Sequence, residues 1–166
     1  CATSTTIAAG IKKMGGADII FAGRQAIDGD TAQVGPQIAQ RLKLPVVTYV
    51  QKVEIQGDKV IVERQLEDGY EKIEVQTPCL LTCVKELNEP RYMTISGIVD
   101  AYKKDITVWN HEDVKLDPAA CGLNASPTQV ARSFTPPQKG KGEIFTGAPA
   151  DMAAAVVGRL KEKHVL

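Results

Sequence analysis

A short apolar run closed by glycine, Asp18 to Gly23 (DIIFAG), constrains this chain more than any other feature. Apolar residues in succession, without alternation, mark a strand buried on both faces of a parallel sheet. Such a strand cannot satisfy its backbone alone; it needs parallel neighbours and helical crossovers. On its N-terminal side Ile7, Ile11 and Met14 recur at helical spacing behind a Ser/Thr-rich start, and Gly15-Gly16 supplies the stop. On its C-terminal side a helix is expected near Pro36, burying Ile38, Ala39 and Leu42, because proline is favoured in a first helical turn. Helix, buried strand, loop and helix form a piece of an α/β doubly wound sheet. Pro45 to Val50 and Pro78 to Val84 can add strands, but a sheet flanked on both faces normally uses more units. The rest is expected upstream of Cys1, which stands where a coding sequence would open with Met.

Residues 46 to 76 change character. Val53, Ile55, Val60, Val62, Ile73 and Val75 alternate with polar residues, and Gly57-Asp58 and Asp68-Gly69 punctuate them. This is the pattern of a β-meander or paired hairpins with one wet face, a ribbon at an edge or against a partner. A polar loop, Lys85 to Tyr92, leads to an expected helix near Ile95 to Lys103 and a short strand at Asp105 to Trp109. From Asn110 to Gly147, Pro, Gly, Lys and Thr dominate, and the chain reads as an extended arm. The arm ends in a helix, Pro149 to His164, with Met152, Val156 and Leu160 as its stripe. Two parts are expected: a partial α/β domain over 1–109, and an arm over 110–166 that clasps another subunit or folds back on its own domain.

Lys+Arg and Asp+Glu cancel at 20 each, so the broad basic footprint of a nucleic-acid binder is missing. No stretch reaches the ~20 apolar residues of a membrane-spanning helix, and Cys1 to Gly10 lacks the pattern of a secretory signal. A soluble, intracellular protein is the expectation. Cys1, Cys79, Cys83 and Cys121 have no metal-site or redox-pair spacing and read as buried thiols. His111 and His164 read as solvated surface residues, and no nucleophile, catalytic residue or metal site is indicated.

Chemistry is expected in the loop Gly23-Arg24-Gln25-Ala26-Ile27-Asp28-Gly29-Asp30-Thr31-Ala32-Gln33-Val34-Gly35. Ligands of open α/β sheets bind outside the carboxyl ends of strands, and a loop entering a helix offers free N–H groups and a positive dipole end to phosphate. Arg24 adds a charge that can pair with phosphate. Asp28 and Asp30 repel it unless they point to ribose hydroxyls or cap the helix. Neither a P-loop nor a dinucleotide glycine fingerprint is present. A capped turn without a ligand is the structural alternative.

The segment GRQAIDGDTAQVGPQ (Gly23 to Gln37) closely resembles the nucleotide-binding loop of electron transfer flavoprotein beta subunits. VERQLEDGYEKIEVQTPCLLT (Val62 to Thr82) is similar to the family's signature, and LNEPRYMTISGI (Leu87 to Ile98) to its partner-recognition region. With SPTQVARSFTPP and the terminal helix, the resemblance covers nearly the whole chain. It implies a Rossmann-like three-layer α/β sandwich carrying a β-hairpin ribbon and an extended C-terminal arm that ends in a helix. It also implies an alpha-subunit partner bearing FAD, and a beta-subunit site holding AMP or a second FAD. The form DGDTAQVGPQ resembles anaerobic, electron-bifurcating members and so favours FAD; there NADH would reduce that flavin, with electrons parting towards ferredoxin and an enoyl-CoA reductase. The phosphate-contacting stretch falls on Asp30, Thr31, Ala32, Gln33 and Val34, with Gly23, Arg24, Gln25, Ala26 and Ile27 on the adenosine side. The residue that inserts into an acyl-CoA dehydrogenase-type flavoenzyme matches Ile95, rimmed by Arg91, Tyr92 and Lys103. Asp100 and Tyr102 interrupt the lysine-rich stretch of the family, and Gln65 stands where many members carry glutamate near the alpha-subunit flavin. The rival reading is an ATP-binding regulatory or hydrolase domain of the same fold.

Overall fold

The computed structural model describes residues 1–166. Residues Cys1–Gln129 form one compact unit and Val130–Leu166 a second. In the first unit the helices are α1 (Ala2–Lys13), α2 (Val34–Leu42) and α3 (Ile95–Ala101). The strands are β1 (Ile19–Gly23), β2 (Val46–Gln56), β3 (Lys59–Leu66), β4 (Gly69–Gln76) and β5 (Cys79–Cys83). They make one mixed sheet in the order β1-β5-β2-β3-β4, so the α/β class is observed. β5 pairs in parallel with β1 on one side and with the start of β2 on the other, while β2, β3 and β4 form an antiparallel meander.

Strand β2 belongs to both parts. Its first residues extend the parallel core, Val46 opposite Leu80 and Val47 opposite Leu81; its last residues pair with β3. The expected alternation over 46–76 is therefore a ribbon grown directly from a core strand. The two-residue connection Gly57-Asp58 turns the chain with Gly57 at φ 64°, a conformation glycine adopts without a Cβ penalty.

Two clusters fill the faces of the sheet. Ile38, Ala39 and Leu80 pack with Ile11, Ile20, Ala22 and Leu42, which places α1 and α2 on the same face. The second helical layer of the Rossmann-like expectation is thus supplied by neither of these helices. Val47, Val50, Val60, Val62, Val75, Cys79 and Leu81 form the larger cluster, with Leu87 of a 3-10 turn (Lys85–Leu87) against it.

Several expectations are corrected. The buried face of α1 is Ser4, Ala8 and Ile11 rather than the Ile7–Ile11–Met14 stripe; Ile7 is 41% and Met14 71% exposed. Small side chains let α1 approach α2 closely, where the Ser4 hydroxyl donates to Gln37 Oε1 at 2.9 Å and Arg41 Nε donates to Ser4 Oγ at 3.1 Å. β1 pairs only with β5, and within this chain none of its residues is fully buried; Phe21, in register with Leu81, is 55% exposed. Asp105–Trp109 is not a strand: it pairs with no sheet edge, and Ile106 and Val108 lie open to solvent. Trp109 instead meets Lys13, whose Nζ stands 5.4 Å from the ring centroid. Cys79 is buried and Cys83 and Cys121 are half-buried, but Cys1, ahead of the first helical turn, is exposed. Both histidines are exposed, as expected.

Short 3-10 turns at Pro118–Ala120 and Leu123–Ala125 interrupt the proline-rich stretch. In the second unit, α4 (Pro149–Glu162) half-buries Met152 and Leu160, leaves Val156 exposed, and is tied to the preceding segment by Arg159, which bonds Glu143 at 2.8 Å and, within the helix, Glu162 at 2.7 Å. No helix is long and apolar enough to cross a membrane.

Candidate functional site

The candidate site lies at the carboxyl end of the parallel strands. Gly23 closes β1 opposite Cys83, the last residue of β5, and the Arg24 N–H donates to the Cys83 carbonyl at 3.1 Å. The loop thus leaves the sheet from a defined point. It then makes a turn, Asp30 N–H to the Ala26 carbonyl at 3.0 Å, and runs through two left-handed residues, Asp30 at φ 47° and Ala32 at φ 50°. Left-handed conformations at non-glycine residues are uncommon and cluster at ligand clamps and tight turns.

Neither acid caps the helix. Gln33 is the N-cap of α2 and makes no side-chain cap bond, and the first helical turn holds no acidic residue. The Asp30 carboxylate instead accepts from Gln25 Nε2, inside the loop. The N–H groups at the start of α2 therefore keep their donor capacity for a phosphate or carboxylate. Gly23, Arg24, Ala26, Ile27, Asp28, Asp30, Thr31, Gln33 and Val34 are exposed, while Gln25 and Ala32 are half-buried. A depression of about 330 Å³ beside the loop joins Arg24, Gln25 and Ile27 to Gln65, Cys83 and Lys85. The structure thereby brings Gln65 of the ribbon to the loop. Burial pushes the Cys83 thiol up from its ordinary value, so near neutral pH it is an uncharged wall residue rather than a nucleophile.

Gly35 at the end of the loop, with Thr82 and Tyr49 outside it, shapes the site. A Cβ on Gly35 would stand 2.5 Å from Thr82 Cγ2, so the first turn of α2 sits against β5 only because this residue has no side chain. Thr82 is itself buried, and its Oγ1 accepts from the Tyr49 N–H at 3.3 Å. The Tyr49 ring centroid lies 5.8 Å from Arg24 Cζ. Sequence reasoning included Gly35 in the loop and passed over Thr82 and Tyr49. Thr82, a lone polar residue in the apolar strand CLLTC, was the available signal.

The partner-region residues form a separate surface. Thr94 caps α3, its Oγ1 accepting from the Gly97 N–H at 3.1 Å, and Ile95 is the first helical residue. Arg91, Tyr92 and Ile95 are exposed, and Tyr92 (99%) and Ile95 (84%) are largely bare. Lys103 Nζ, just past the end of α3, lies 2.7 Å from Asp100, so part of the positive charge expected there is compensated by the helix's own acid.

The fold and this loop define a class: an α/β chain with an open strand-to-helix loop at the carboxyl edge of its sheet, where ligands of such sheets generally bind. Residues 1–114 match the family described as electron transfer flavoprotein domain. The chain is 67% identical over 166 residues to the caffeyl-CoA reductase-Etf complex subunit CarD of Acetobacterium woodii, covering 99% of this chain and 63% of that protein. It is 54% identical over 165 residues to the electron transfer flavoprotein subunit beta of Clostridium acetobutylicum, with 99% and 63% covered. It is 49% identical over 172 residues to the acryloyl-CoA reductase electron transfer subunit gamma of Anaerotignum propionicum, with 99% and 64% covered. This chain belongs to the electron transfer flavoprotein family, and the beta-subunit resemblance of its motifs is borne out. It spans less than two thirds of the length of these relatives.

Proposed function

We propose that this chain is the part of an electron transfer flavoprotein beta subunit that holds the adenine-nucleotide portion of a bound FAD or AMP. The observation that carries this reading is the uncapped start of α2 behind an exposed loop with Arg24 at its root. The main-chain N–H groups around Thr31 to Val34 would face phosphate and the backbone of Gly23 to Ile27 the adenosine, with the Arg24 guanidinium reaching from that side to a phosphate. The residues fit such a ligand: the Asp30 carboxylate is engaged by Gln25, and no acid enters the first turn of α2. Bound FAD would supply two-electron redox chemistry, while AMP would be structural; the protein's share is position and electrostatics.

Similarity to subunits named for caffeyl-CoA and acryloyl-CoA reductase complexes favours FAD and an electron-bifurcating assembly with NADH and ferredoxin. Partners in this reading are an alpha subunit, clasped by the segment beyond residue 109, and an acyl-CoA dehydrogenase-type flavoenzyme docking on Arg91, Tyr92, Ile95 and Lys103. The fold is read as Rossmann-like and the location as bacterial cytoplasm. The test is to purify the intact complex and count FAD and AMP released per heterodimer on denaturation. Two FAD and no AMP support the bifurcating form, and one of each supports an ordinary electron shuttle. No flavin, with ATP bound instead, would overturn electron transfer in favour of an ATP-binding module.

A further inference from the structure

The register of β2 against β5 jumps from Val47–Leu81 to Val50–Cys83, so Thr48 and Tyr49 together oppose Thr82. This is a β-bulge in a core strand, and bulges beside functional sites re-aim a side chain. Tyr49 has φ 59°, a left-handed conformation that is an outlier for a bulky aromatic and persists only where its surroundings hold it. Thr82 holds it through the Oγ1 bond to the Tyr49 N–H, and the ladder resumes with Val84 N–H to the Val50 carbonyl at 3.1 Å. The ring that the bulge displays stands 5.8 Å from Arg24 Cζ, within cation–π range.

We propose that Tyr49 is a positioning residue for Arg24, its ring holding the guanidinium at the carboxyl edge of the sheet to meet a phosphate of the bound nucleotide. The proposal rests on the nucleotide reading of the loop and adds to it the residue that orients its cation. A freely rotating arginine loses several torsions on binding an anion, whereas one resting on a ring has lost part of that freedom beforehand. Thr82 links the two halves of the device, since its hydroxyl fixes the bulge and its methyl receives the α2 turn at Gly35.

The experiment compares AMP with adenosine, titrated calorimetrically into the intact complex after removal of bound nucleotide. The proteins are wild type, Tyr49→Phe, Tyr49→Asn, Arg24→Gln and the Tyr49→Asn/Arg24→Gln double variant. Asparagine tolerates the left-handed backbone, so the bulge survives while the ring is lost. Tyr49→Phe keeps AMP affinity, whereas Tyr49→Asn weakens AMP by about 2- to 5-fold and leaves adenosine unchanged. In the Arg24→Gln background, Tyr49→Asn has no further effect. Should Tyr49→Asn fail to fold, Tyr49→Leu, with bulk but no π face, makes the same comparison. Unchanged AMP affinity, equal losses for AMP and adenosine, or an equal loss without Arg24 would overturn the role of Tyr49 while leaving the nucleotide site standing. A wild-type complex that binds neither compound overturns the site and the inference together.

Discussion

Gly35 leaves no room for a side chain, and the contact it would make, 2.5 Å to the Thr82 methyl, is with a buried branched residue. Gly35→Ala should cost about 1–3 kcal/mol, read as a lower denaturant midpoint, and should weaken nucleotide binding because the helix start moves. Thr82→Ser, which removes the obstructing methyl, should restore part of that loss in the double variant. The buried cysteines set an alkaline limit. Burial pushes the Cys79 and Cys83 thiols up from an ordinary 9.0, so the folded chain keeps these protons where the unfolded chain releases them. This contribution is intact below the unfolded value and is lost as pH rises through the folded ones. Melting temperature followed from about pH 8 upward should fall more steeply in wild type than in Cys79→Ala, because the variant lacks one of the two linked protons.

The hinge of the structure at the scale of elements is β2, parallel to β5 at its start and antiparallel to β3 at its end. Its partner β5 is buried almost throughout, and Leu81 belongs to the larger cluster. Leu81→Ala should destabilise by about 2–5 kcal/mol in equilibrium unfolding. The cross-strand pair Lys59–Glu74, at 2.7 Å, is half-exposed, and Lys59→Ala should leave the melting temperature within error. Much of this level was legible in the sequence. The ribbon announces itself because alternation and turn residues are local, and Pro36 marks the start of α2 within two residues. Asp105–Trp109 misleads because apolar residues at strand spacing become a strand only if the chain carries them to a sheet edge, and this segment pairs with neither β1 nor β4. The face of α1 was misread because Ser4 and Ala8 are buried for their smallness, which a search for large apolar residues overlooks.

For the whole molecule, the exposed apolar residues around α3 matter most: Tyr92, Met93, Ile95, Val99 and Tyr102 are all open to solvent. A short helix that buries none of its residues is not stabilised by the core of this chain, and such exposure accords with the docking proposed for Ile95. Ile95→Glu in the intact complex should raise the half-saturating concentration of an acyl-CoA dehydrogenase-type partner by about tenfold or more, measured as electron delivery, with nucleotide content unchanged. A loss of nucleotide with the same substitution would show that α3 supports the site rather than the partner.

What the sequence by itself determined is the set of local elements: the apolar strands, the hairpin ribbon, the proline-started helix and the loop between Gly23 and Gly35. Periodicity and turn chemistry act over a few residues, so a linear reading captures them. Only the tertiary structure decided that β5 lies between β1 and β2, that a bulge carries Tyr49 to Arg24, and that Thr82 serves the bulge with one atom and Gly35 with another. Those outcomes depend on strand order, register and the closeness of helix to sheet, which arise from packing between segments distant in the chain.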